Sequence, residues 1–133
     1  MRFIAITILL LSIASECFSE TVICKIDGGF ASPKAIAFNT TSNEATFTDS
    51  IGKEFHGKIH MSRDRILKQE NIGRKYNIFF KNVYGSDLVE FFVFPSSKST
   101  HRVMIAEYKV INGEKYLDIF QGNFEAQCVE INN

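Results

Sequence analysis

The sequence predicts an all-β fold, a small antiparallel β-barrel or barrel-like meander of about eight strands, with a two-sheet β-sandwich as the alternative. Three observations carry this reading. Apolar residues recur at every second position in run after run, and the runs are separated by short turns rich in Gly, Asn, Asp and Ser. Only one short segment offers a helix, and connections this short do not cross between parallel strands, which argues against an α/β sheet.

The chain opens on a leader. In "MRFIAITILLLSIASECFSE", Arg2 precedes an apolar run from Phe3 to Leu11, and small and polar residues follow, as in a secretory signal peptide. The run is too short to cross a bilayer as a helix. Cutting between Ser19 and Glu20 puts Cys17 and Ser19 at the two recognition positions that require small side chains. Residues 1–19 are therefore expected to be a signal peptide, and residues 20–133 a single secreted or periplasmic β domain. Acylation of Cys17 is the competing outcome, and Glu16 stands against it, because a small residue is expected there. Once the leader is cut, Cys24 and Cys128 are the only thiols left, and in an oxidising compartment they pair. Closing a loop of about 105 residues is expected to stabilise the fold by about 2 to 4 kcal/mol. This layout of leader, compact β domain and terminal cysteine pair resembles that of small exported proteins of bacterial envelopes and of small secreted β-barrels generally.

The strands follow in order. "TVICKI" sets Val22, Cys24 and Ile26 on one face. "KAIAFNT" and "EATFTD" flank the loop "NTTSN" and read as a hairpin. "EFHGKIHM" alternates Phe55, Gly57 and Ile59 against His56, Lys58 and His60. In "SRDRILKQENIG", Ser62 offers a helix cap and Gly73 a stop, which predicts one short helix or else an irregular connection. "RKYNIFFKNVY" alternates again and turns through "GSD" into "LVEFFVFP", which is apolar on both faces except at Glu90 and so predicts a strand covered on both sides. "HRVMIAEYKV" leads to Asn112-Gly113, whose tolerance of positive φ predicts a type I′ turn. "EKYLDIF" follows, and a separate final strand, "NFEAQCVE", carries Phe124, Ala126 and Cys128 on one face.

Lys+Arg 15 balances Asp+Glu 15, which argues against a protein built to hold nucleic acid or an anionic membrane. Thirteen phenylalanines without a tryptophan mean core first, and leave open an apolar cavity. No Ser-His-Asp or Cys-His constellation, glycine-rich phosphate loop or metal-ligand spacing can be assembled. His56 and His60 on a strand would lie roughly 13 Å apart, too far to share one metal. No cofactor is expected.

Two regions stand out as candidate binding residues. Glu90 either lies at the surface between aromatics or is buried and takes a donor such as Tyr76, Lys81 or Arg102. His60, Arg63, Arg65, Arg74, Lys75 and Tyr76 form the most basic neighbourhood, suited to an anionic partner or carbohydrate, although Asp64 and Glu70 interrupt it. Asn39 in "NTT" fits an N-glycosylation acceptor. The functional expectation is an exported, non-enzymatic interaction or inhibitor module for a protein or envelope partner. The alternative is a carrier of a small apolar ligand inside the barrel. A hydrolase would need a cleft that brings Glu90 or a histidine beside a second polar group.

Overall fold

In the computed structural model, which describes residues 20–27 and 35–132, eight antiparallel strands pair in sequence order and the last returns to the first as a closed barrel. They are β1 (Glu20–Ile26), β2 (Ala35–Asn39), β3 (Glu44–Thr48), β4 (Glu54–Leu67), β5 (Glu70–Val83), β6 (Ser86–Pro95), β7 (His101–Ile111) and β8 (Glu114–Asn132). The barrel, rather than the sandwich, is the architecture this alternation adopts. The expected leader lies outside the described residues.

Alternation explains the interior. Ile36 and Phe38, Ala45 and Phe47, Ile78 and Phe80, Val89, Phe91 and Val93, and Val103 and Ile105 all point inward and are buried. Phe47 stacks on Phe55, 4.7 Å between centroids, and meets Phe80 edge-on at 4.8 Å. Gly57 is needed beside this cluster, because a Cβ there would lie 2.1 Å from the carbonyl oxygen of Phe79 and 2.6 Å from the Phe80 ring. The barrel is thus filled with side chains, as expected at eight strands.

The closing seam is staggered. The C-terminal part of β8 pairs with β1 from Ala126 to Asn132, while residues 114–126 pair with β7. Cys24 and Cys128 are register partners across that seam and form a disulfide, which ties the first strand to the last.

Three expectations are corrected. Residues 62–73 form no helix: β4 runs on to Leu67 and turns through Lys68-Gln69 into β5. Both turn residues have positive φ, 51° and 64°, yet neither Lys nor Gln carries the turn chemistry that marks a hairpin in sequence. The two final runs are one 19-residue strand, β8, bent by register shifts opposite β7. Finally, β6 has core on its inner side only; on its outer side Leu88, Phe92 and Phe94 are half-buried at the surface of a single-layered barrel. Asn112 and Gly113 do adopt positive φ, 53° and 81°, as a type I′ turn requires.

Candidate functional site

One end of the barrel is built by the β3–β4 and β5–β6 connections and by the β7–β8 hairpin, which projects beyond the other strands. There the core stops short and leaves an open cavity of about 380 Å³. Its floor is Phe47, Val83, Val89, Phe91 and Ile105, and Ile51 forms an exposed lip. Polar groups ring the mouth: Asp49, Ser50, Tyr84, Glu107 and Gln121.

Two of these are buried carboxylates held by neutral donors. Asp49 Oδ1 accepts the backbone N–H groups of Ile51 at 3.0 Å and Lys53 at 2.8 Å, and Oδ2 accepts the Tyr84 hydroxyl. The Tyr84 hydrogen bond, aided by the backbone donors, holds the Asp49 carboxyl below its ordinary range. Burial, and then the carboxylate beside it, push the Tyr84 phenol up to about 12. Glu107 accepts the Ser86 hydroxyl and the Gln121 amide N–H, each at 2.7 Å.

Beyond the cavity, the hairpin exposes apolar residues on both of its faces. Tyr108 pairs with Leu117, Val110 with Lys115, Lys109 with Tyr116 and Ile111 with Glu114. Val110, Ile111, Tyr116, Leu117, Ile119 and Phe120 are all exposed, Leu117 by 62%.

Glu90 combines the two alternatives weighed for it. Its side chain lies on the outer face of β6, opposite in parity to Val89 and Phe91, yet only 4% of the residue is exposed. The donors are not Tyr76, Lys81 or Arg102. Tyr108 donates to Oε1 at 2.8 Å, Asn77 donates to Oε2 at 3.1 Å, and Lys115 reaches across from β8. Burial, followed by the bond to Glu90, pushes the Tyr108 phenol up to about 12. This carboxylate is covered rather than set in a cleft, so it presents no catalytic acid to a substrate.

Of the basic candidates, Arg74 and Tyr76 line one pocket, where Glu20 and Glu130 oppose the positive charge, and the others do not converge on it. Tyr76 points into the core, 4.7 Å from the Phe38 ring centroid, whereas His60 rests on the outer face against Phe79. Arg65 donates to the Pro95 carbonyl at 3.0 Å and lies over Phe94, and Arg74 is tied to Asp64 and Ser62. Arg63 and Lys75 face each other across the β4–β5 hairpin, where two like charges form no pocket. His56 is engaged by Thr46. Asn39 Oδ1 accepts the N–H groups of Thr41 and Ser42 and thereby shapes the β2–β3 turn. Among the described residues no three His, Cys, Asp or Glu side chains group as metal ligands, and no helix is long and apolar enough to cross a membrane.

The mouth carboxylates were absent from the candidate residues, although their signal is in the alternation. Asp49 continues the inward row of Ala45 and Phe47, and Glu107 continues that of Val103 and Ile105. A carboxylate in an inward register position is the pattern that finds them. No family model, curated protein or solved structure matches the chain.

Proposed function

We propose that this chain is an exported, non-enzymatic binding module that recognises a protein partner through the β7–β8 hairpin. One observation carries the reading: six large apolar side chains stand exposed on the two faces of a hairpin that extends beyond the barrel, Val110, Leu117 and Phe120 on one face and Ile111, Tyr116 and Ile119 on the other. Exposed apolar surface rimmed by polar residues marks interaction sites. Its aromatic members, Tyr116 and Phe120, are of the residue types enriched at interface centres. Lys109, Glu114, Lys115 and Asp118 border the patch with both signs of charge, which suits a protein rim better than an anionic lipid surface. The Cys24–Cys128 staple fits a domain that works outside the cytosol.

The packed interior favours this reading over a carrier with a central cavity. Phe38, Phe80, Phe91, Ile36 and Ile78 are fully buried along the barrel axis, so side chains fill the interior and the cavity at the mouth lies above that packing.

The test compares the native exported chain with a Leu117→Glu/Phe120→Glu variant, both immobilised against extracellular or envelope material from the source cells. The expected result is a defined protein that the native chain retains at micromolar concentration and that the variant loses, with circular dichroism and thermal unfolding unchanged. Retention by both chains, or by neither, overturns the assignment. Concentration-dependent dimerisation that the variant abolishes would assign the patch to a second copy of the chain and overturn it as well.

A further inference from the structure

We infer that the barrel mouth is a binding site for an organic cation, an ammonium or guanidinium group carried on an apolar body. The argument starts from the cavity. Its floor of Phe47, Val89, Phe91 and Ile105 is apolar and buried, and its volume of about 380 Å³ falls at the small end of the range typical of small-molecule sites. An apolar floor alone would accept any hydrocarbon.

The polar groups above it narrow the choice. Asp49 is 2% exposed and Glu107 9%, and among the described residues no lysine, arginine or histidine lines the cavity. Among the described residues neither carboxylate has a cation within ion-pair distance, and the ion pairs there involve Asp64, Glu70, Glu90 and Glu125. Buried carboxylates are ordinarily matched by a positive group. Here the donors are two backbone amides, Tyr84, Ser86 and Gln121, all neutral, which orient the carboxylates without cancelling their charge. Each Glu107 oxygen accepts one hydrogen bond and retains a lone pair for a second.

Glu90 supplies the internal contrast. It is a buried carboxylate of the same chain, and it has its own cation, Lys115. At the mouth no described residue takes that place. Tyr84, 61% exposed and lining the same cavity, adds an aromatic face of the kind that attracts ammonium and guanidinium groups. Apolar floor, twin carboxylates and exposed ring together select a cation with a hydrophobic stem and reject an anion of the same size.

Such a group reaches the mouth from one of two sources, a free amine or a lysine or arginine side chain of a bound protein, and the experiment separates them. Three probes of similar size are titrated into the oxidised exported chain by isothermal calorimetry and by NMR shifts of the Phe47, Phe91 and Glu107 neighbourhood. They are 2-phenylethylammonium, 2-phenylethanol and phenylacetate. The ammonium is expected to bind roughly tenfold or more tightly than the alcohol, in line with one charge-assisted contact, and phenylacetate to bind weakest. A second arm compares a capped lysine tripeptide with its norleucine counterpart. Binding of the ammonium without the tripeptide assigns a free amine, and preferential binding of the lysine tripeptide assigns a side chain of a partner. Glu107→Gln keeps one acceptor, for the Gln121 amide, and turns its NH2 toward the Ser86 hydroxyl oxygen, and it should sharply reduce the preference for charge while leaving the alcohol unchanged. The wild-type comparison stands even if that variant folds poorly. Equal binding of ammonium and alcohol, or binding of no probe and no peptide at millimolar concentration, overturns the inference. None of these readouts depends on the hairpin's partner, so the two proposals fail separately.

Discussion

Lys115 of β8 holds its ammonium 3.8 Å from Glu90 Oε1 of β6, although the two strands are not neighbours in the barrel. The side chain reaches across β7, 4.7 Å from the ring centroid of Tyr108 and 4.9 Å from that of Phe79. A half-exposed lysine thereby covers a buried carboxylate on the outside of the barrel, and fastens the projecting hairpin to the sheet beneath it. Lys115→Met keeps most of the stem and removes the charge, leaving Glu90 with two neutral donors. Loss of a fully buried pair costs about 3 to 5 kcal/mol, but solvent screening at Lys115 reduces the expected loss to about 1 kcal/mol. Urea unfolding measures it. An unchanged midpoint would mean that Asn77 and Tyr108 suffice to hold the carboxylate.

The same cluster sets the ionisation of Tyr108. Its phenol is pushed up to about 12 first by burial and then by the hydrogen bond and charge of Glu90. Glu90→Gln removes the charge and leaves the burial. The Tyr108 ionisation should therefore fall part of the way toward its ordinary value, and Tyr84, paired with Asp49 at the mouth, should not move. Ultraviolet titration of tyrosinate, with Tyr108→Phe to assign the transition, reads both. A Tyr108 transition unmoved by Glu90→Gln would make burial its sole cause.

Much of this fold was legible because period-two alternation and the Asn112-Gly113 turn each point to one backbone solution. Val22, Cys24 and Ile26 occupy the face that alternation assigns them, and so do Tyr76, Ile78 and Phe80. Residues 62–73 were not legible, since apolar anchors are sparse in that exposed hairpin and its turn residues are Lys68 and Gln69. The site was less legible than the fold. Local charge density drew attention to Arg63, Arg65, Arg74 and Lys75, but strand pairing spreads them over a surface. Asp49 and Glu107 are 58 residues apart in sequence, and barrel closure is what brings them to one mouth.

The Lys68-Gln69 turn holds two ordinary L-residues at positive φ, a conformation that costs about 1 to 2 kcal/mol per residue without compensation. Replacing the pair by Asn-Gly supplies residues suited to a type I′ turn, and part of the gain is offset by glycine's greater freedom in the unfolded chain. The expected net effect is a stabilisation of about 1 kcal/mol, seen as a higher thermal midpoint with an unchanged denaturant slope. A lower midpoint would show that the Lys68 or Gln69 side chain supports the hairpin.

The disulfide joins the strands that close the barrel, with a sequence separation of 104 between its cysteines. The Cys24→Ser/Cys128→Ser variant frees the unfolded chain and puts a hydroxyl at Cys24, which is fully buried. The variant is expected to lose about 2 to 4 kcal/mol, and somewhat more where that hydroxyl finds no acceptor. Cys24→Ala/Cys128→Ala separates the two contributions, because it removes the link without burying a polar group. If the alanine variant unfolds at the denaturant midpoint of the native chain, strand pairing alone holds the seam.

His101, at the start of β7, gives the fold a pH dependence in an unusual direction. Burial lowers its folded pKa below 6.5, against the opposing pull of the Glu130 carboxylate. The unfolded chain therefore binds the proton more readily than the folded one. Its contribution to stability is complete above about pH 6.5 and is lost as the pH falls from there through the depressed folded value. Urea midpoints measured in steps from about pH 8 to pH 5, before most carboxylates titrate, should fall for the native chain and stay nearly level for His101→Gln. A native midpoint that instead rises toward pH 5 would mean that Glu130 outweighs burial and holds the folded imidazole charged, reversing the assigned cause.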